Sequence, residues 1–71
     1  MATKRNFKRG SIVQNLEEDW MGIYIKRHKA NSYIMRLDEL GQVQAIEYIP
    51  TVNIGTPFDI PEHFNSIDIT L

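Results

Sequence analysis

The side chains that could do chemistry in this chain are few and scattered. His28 and His63 are the only histidines, 35 positions apart, far from the short spacings by which a helix or turn presents imidazoles to one metal ion. Cysteine is absent, which removes thiolate nucleophiles, disulfides and cysteine-ligated zinc or iron–sulfur centres together. Ser11, Ser32 and Ser66 lack the glycine-flanked sharp turn that exposes a nucleophilic serine, and the four glycines form no phosphate-cradling loop. Glu17, Glu18 and Asp19 could offer carboxylate oxygens to a divalent cation, yet three adjacent acids also make an ordinary solvated turn. The expectation is a non-enzymatic chain with no catalytic residue, no metal ligand and no cofactor.

Binding has more to draw on. All eight Lys and Arg residues lie between Lys4 and Arg36, and six of the nine Asp and Glu residues between Asp38 and Asp68. A formal charge of -1 therefore conceals halves of +5 (eight basic less Glu17, Glu18 and Asp19) and -6. Such a split either marks a basic binding face or lets the two halves pair across a sheet. The basic residues form two clusters, Lys4, Arg5, Lys8, Arg9 and Lys26, Arg27, His28, Lys29. Between them, Trp20 and Tyr24 share one face of a strand pattern, which offers aromatic area with polar rims of the kind found at interface hot spots. The candidate partner-binding residues are thus Lys8, Arg9, Trp20, Tyr24, Lys26, Arg27 and Lys29. Trp20 has a structural alternative as the largest piece of a small core, and Tyr33 and Tyr48 could pair on adjacent strands.

The elements that must position these residues are strands. Ten Ile, three Val and four Thr outnumber four Leu and three Ala, a composition that fits half-buried pleated surfaces. Residues 11–16 predict a first strand that ends in the acidic turn 17–19. Residues 20–27 predict a second, with Met21, Ile23 and Ile25 on one face and Trp20, Gly22, Tyr24 and Lys26 on the other; Gly22 permits a bend or the close approach of a neighbour. A polar tip at 29–32 leads to a third strand at 33–37, and Gly41 in the turn 38–42 leads to a fourth at 43–49, which Pro50 stops. Residues 51–54 predict a turn and a brief strand, residues 61–65 a helical turn opened by Pro61, and residues 67–71 an edge strand. The expected core is Ile12, Ile23, Ile25, Met35, Leu37, Val43, Ala45 and Ile49.

Gly10, Ser11, Ile12 and Val13, followed by Glu17, Glu18 and Asp19 and then by Trp20 with Gly22, resemble the stretch of an SH3 domain in which a hydrophobic strand passes through an acidic turn to a tryptophan strand. Tyr48, Ile49 and Pro50 with Val52, Asn53 and Ile54 are similar to the proline-led turn before the last strand of that family. The resemblance, which spans residues 10–54, implies an all-β, SH3-like small barrel or half-barrel of four to five antiparallel strands, to which the pattern at 61–65 adds one short C-terminal helical turn. Residues 1–9 are then a basic, mobile arm and residues 10–71 a single domain. No stretch is apolar enough for a signal peptide or a membrane span, so a cytoplasmic chain with no membrane partner is expected. Its partner is expected to be a larger protein or complex on which it docks as an accessory subunit or regulator. The alternative is a nucleic acid bound by the basic arm and the 26–29 tip with a stacking tyrosine, Tyr24 or Tyr33. Ile23→Ala is expected to cost about 2–5 kcal/mol, and a melting temperature within a few degrees of the parent would reject this register for the second strand.

Overall fold

A computed structural model describes residues 7–62 and Phe64. The chain forms β1 (Ile12–Asn15), β2 (Met21–His28), β3 (Asn31–Leu37), β4 (Val43–Pro50), a 3-10 turn (Thr51–Asn53) and β5 (Ile54–Gly55). The five strands are antiparallel, in the order β4-β3-β2-β1-β5, and curl into a half-barrel. This architecture is compatible with the SH3-like resemblance at the level of fold. The turns sit where their chemistry allows. Lys29 takes φ 59° in a two-residue connection between β2 and β3, shorter than the expected tip, and Gly41 takes φ 82° in the β3–β4 turn. At the end of β1, buried Asn15 accepts the N–H groups of Glu17 and Glu18 on Oδ1 at 2.8 and 2.9 Å, which shapes the acidic turn from a side chain. The Phe64 N–H donates to the carbonyl of Pro61, one turn of chain at the predicted place, while Asn65 and the predicted strand at 67–71 lie outside the described residues.

Apolar side chains cover both faces of the sheet. On the inner face Val13, Trp20, Tyr24, Ile34 and Ile54 form one cluster, joined by half-buried Phe7 and Ile49. On the outer face Ile23, Leu37 and Phe64 form a second, joined by Ile12, Met21, Met35 and Ile60. Of the expected core, Ile23 and Leu37 are buried, Ile12, Ile25, Met35 and Ile49 are half-buried, and Val43 and Ala45 are exposed. The misplacements have two causes. First, β4 is an edge strand, so alternation along it does not entail burial. Second, two β-bulges break the alternation itself. Tyr24 pairs with Ile34 but Lys26 pairs with Tyr33, so the extra residue Ile25 turns Lys26 to the face opposite Tyr24. Likewise Ala45 pairs with Arg36 but Val43 with Leu37, which sends Val43 and Ala45 to opposite faces around Gln44.

Gly22 is where β2 and β3 fit most tightly. A Cβ placed there would stand 2.5 Å from Cγ2 of Ile34 and 2.6 Å from the carbonyl oxygen of Met35. Ile34 is fully buried, so the space over Gly22 is filled by the side chain of its neighbour. Gly22→Ala is expected to destabilise the fold by about 1–3 kcal/mol through overpacking. A urea midpoint equal to that of the parent would show that Ile34 and the Met35 backbone give way freely.

Candidate interaction surface

The outer face is covered unevenly. Phe64 and Ile60 lie over the Ile23–Leu37 end, and beyond them Tyr33, Val43, Ile46 and Tyr48 form an apolar and aromatic surface. Val43, Ile46 and Tyr48 are 51, 57 and 45 % exposed. Tyr33 and Tyr48 are directly opposed on β3 and β4, with ring centroids 4.6 Å apart and planes tilted by 31°. Lys26 Nζ stands 5.7 Å from the Tyr33 centroid, an exposed cation–π contact. The His28 Nδ1 lies 3.1 Å from the Tyr48 hydroxyl, which also donates to the His28 carbonyl at 3.2 Å. Two aromatic rings and their basic neighbours are thus held in fixed positions on an open face.

Around this surface gather the basic residues singled out by sequence. Lys8 and Arg9 occupy the turn before β1, whose Gly10 N–H donates to the Tyr24 carbonyl. Lys26, Arg27 and Lys29 lie on the continuation of β2 past Tyr24, so the pairing brings them to the same end of the sheet as Lys8 and Arg9, while Lys4 and Arg5 lie outside the described residues. All five are exposed. Arg27 projects to the other face and its Nε donates to the Lys29 carbonyl at 2.8 Å, leaving Lys26 as the cation beside the tyrosines.

Trp20 and Tyr24 lie elsewhere. They are 8 and 5 % exposed and belong to the inner cluster, where Tyr24 meets Phe7 with ring centroids 5.4 Å apart. The Trp20 Nε1–H donates to Glu18 Oε1 at 2.9 Å, and the Arg36 guanidinium lies 5.0 Å from its ring. Trp20 is therefore the bulk of a small core, and the aromatic area at the surface comes from Tyr33 and Tyr48. The sequence pointed to those two as a cross-strand pair; their surface role, with that of Ile46 and Val43, depends on which face and edge stay uncovered.

The opposite end of the sheet is acidic. It carries Glu17, Glu18 and Asp19 in the β1–β2 turn and Asp38 and Glu39 in the β3–β4 turn. Between these turns an open cleft of about 770 Å³ is lined by Trp20, Arg36, Leu40 and Phe64 together with four of the carboxylates. Arg36 lies 3.7 Å from Glu47, while its buried Nε has no hydrogen-bond partner among the described residues. No helix among the described residues is long and apolar enough to cross a membrane. Comparison with protein-family models, with curated proteins and with solved structures finds no match. A double-mutant cycle on Tyr33→Ala and Tyr48→Ala is expected to give a coupling of about 0.5–1.5 kcal/mol. Additive losses would show that the two rings are neighbours without mutual attraction.

Proposed function

We propose that this chain is a non-enzymatic, cytoplasmic protein-interaction module, a small accessory subunit or regulator that docks on a larger protein or complex. The observation that carries the proposal is the surface of Tyr33, Val43, Ile46 and Tyr48, left open by the described residues on the outer face and flanked by Lys26 and its basic neighbours. An aromatic and aliphatic centre with a charged rim is the composition by which proteins bind proteins. The rim is positive, so the complementary partner presents an apolar patch bordered by carboxylates. The sheet edge beside it adds backbone donors and acceptors at the margin of the same surface.

A second reading, nucleic-acid binding, draws on one specific arrangement: Lys26 over Tyr33 beside the stacked Tyr48, with Lys8, Arg9, Arg27 and Lys29 at the same end. Exposed rings accept bases and lysines accept phosphates. The five carboxylates at the far end of the sheet disfavour a long phosphate track. Affinity capture from the native host, with and without nuclease, separates the two. A protein partner that survives nuclease, and is lost with Tyr33→Ser and Ile46→Ser, is expected. Replacing Lys8, Arg9, Arg27 and Lys29 by Gln is expected to weaken capture most at low salt. Capture that nuclease abolishes would establish the nucleic-acid reading in its place.

A further inference from the structure

We propose that the free edge of β4 pairs antiparallel with β4 of a second copy of this chain about a two-fold axis, setting the acidic end of each copy beside the basic end of the other. The inference stands on a strand edge and on the placement of charge, and it goes beyond the docking surface above.

β4 is eight residues long and terminates the sheet, and among the described residues no strand pairs with its far side. Natural edge strands of this length are usually blunted by lysines, by proline or by extreme shortness. β5, the other edge, has two residues. β4 has no lysine, its proline is the last residue, and its single charged residue, Glu47, is already 3.7 Å from Arg36 of its own chain. The bulge at Gln44 disturbs one end and leaves residues 45–50 regular.

The hydrogen-bond pattern shows which groups are on offer. The Thr51 N–H donates to Ala30, and Asn31 opposes Pro50, so Pro50 occupies a position whose backbone groups face away from β3. The two-residue alternation of an antiparallel ladder then turns the N–H and C=O of Ile49, Glu47 and Ala45 toward β3, and those of Ile46 and Tyr48 outward. The close, non-hydrogen-bonded opposition of Tyr33 and Tyr48 agrees with this assignment. In an antiparallel pairing, outward residues of one copy face outward residues of the other. The outward residues all have even numbers, so opposed positions sum to an even number. The two-fold axis must then pass through a residue rather than between two, and that residue lies among Ile46, Glu47 and Tyr48.

Charge selects the partner and the direction. One end of the sheet carries exposed Lys26, Arg27 and Lys29 with Lys8 and Arg9; the other carries Asp38 and Glu39 with Glu17, Glu18 and Asp19. β4 runs from the acidic end at Val43 to the basic end at Pro50. Antiparallel pairing of two copies therefore brings the Asp38–Glu39 turn of each toward the Lys29 turn of the other, and does so twice by symmetry. A parallel pairing would gather like charges at both ends. The same pairing makes the two Tyr33–Tyr48–Ile46 surfaces continuous across the axis.

The full-length chain is expected to be a dimer by sedimentation equilibrium at low salt, with a dissociation constant that rises about tenfold at high salt. Lys29→Glu and Glu39→Lys, each alone, are expected to weaken the dimer, and an equimolar mixture of the two to restore it, because only the mixture returns opposite charges to both contacts. The chain has no cysteine, so single cysteines at Ala45, Ile46, Glu47 and Tyr48 can be oxidised one at a time. Disulfide-linked dimer is expected to peak at one of Ile46, Glu47 or Tyr48 and to fall off on either side. Circular dichroism of each variant distinguishes a lost dimer from a lost fold. A monomer at all concentrations overturns the proposal, as does a dimer that forms no cross-link at these positions or that ignores salt and charge reversal. Partner capture by a monomeric chain would leave the docking surface standing, and a dimer that captures nothing would do the reverse.

Discussion

A sheet of five strands has two apolar faces and two edges to satisfy, and the described residues do not cover them all. The inner face is closed by curvature, with Trp20, Tyr24 and Ile34 filling the hollow and Ile54 arriving from the far end of the chain. The closeness of β2 and β3 at Gly22 belongs to that solution, since the Ile34 side chain fills the space over it. The outer face is covered at its Ile23–Leu37 end by Ile60 and Phe64. Among the described residues, nothing pairs with the far edge of β4, and Val43, Ile46 and Tyr48 stay exposed on that face, which is why the candidate interaction surface lies there.

The buried polar side chains of Asn15, Ser32 and Thr51 carry their own partners. Asn15 is buried at the end of β1 and spends its side-chain oxygen on the acidic turn, while buried Ser32 and Thr51 bond each other at 2.7 Å and tie β3 to the 3-10 turn. The second contact fixes the path from β4 to β5, because Thr51 also donates its N–H to Ala30. Charge is managed by distance. Both acidic turns connect strands at one end of the sheet, and Lys8, Arg9, Lys26, Arg27 and Lys29 lie at the other, so the antiparallel meander gives the described part of the sheet an acidic end and a basic end. On the question that the split between halves left open, Arg36 of the basic half pairs with Glu47 of the acidic half across β3 and β4, while Lys8, Arg9, Lys26, Arg27 and Lys29 lie at the end of the sheet away from the acidic turns.

Most of the strands were legible because isoleucine, valine and threonine recur with period two between turns that announce themselves. Asn31–Leu37 and Val43–Pro50 begin or end within two residues of where the pattern places them. The candidate site was legible in part. Lys8, Arg9, Lys26, Arg27 and Lys29 gather at one end, as the pairing of β1 with β2 requires. Trp20 and Tyr24 went to the core, where a domain this small needs its largest side chains. The aromatic surface passed instead to Tyr33 and Tyr48, whose spacing says that they can meet and nothing about whether water reaches them.

By itself the sequence determined the all-β class, the order of the strands along the chain and the turn at Gly41, because each follows from local conformational preference or from period-two alternation. Tertiary structure alone decided the rest. The bulges at Ile25 and Gln44 carry no local signature, and each reverses the faces of the residues beyond it, so Lys26 left the side of Tyr24 and Val43 left the side of Ala45. Burial on β4 was equally beyond reach of the pattern, since an apolar residue is buried only where another element lies over it, and β4 forms the edge of the sheet. Alternation fixes which side chains share a face; what covers that face depends on residues far away in the chain.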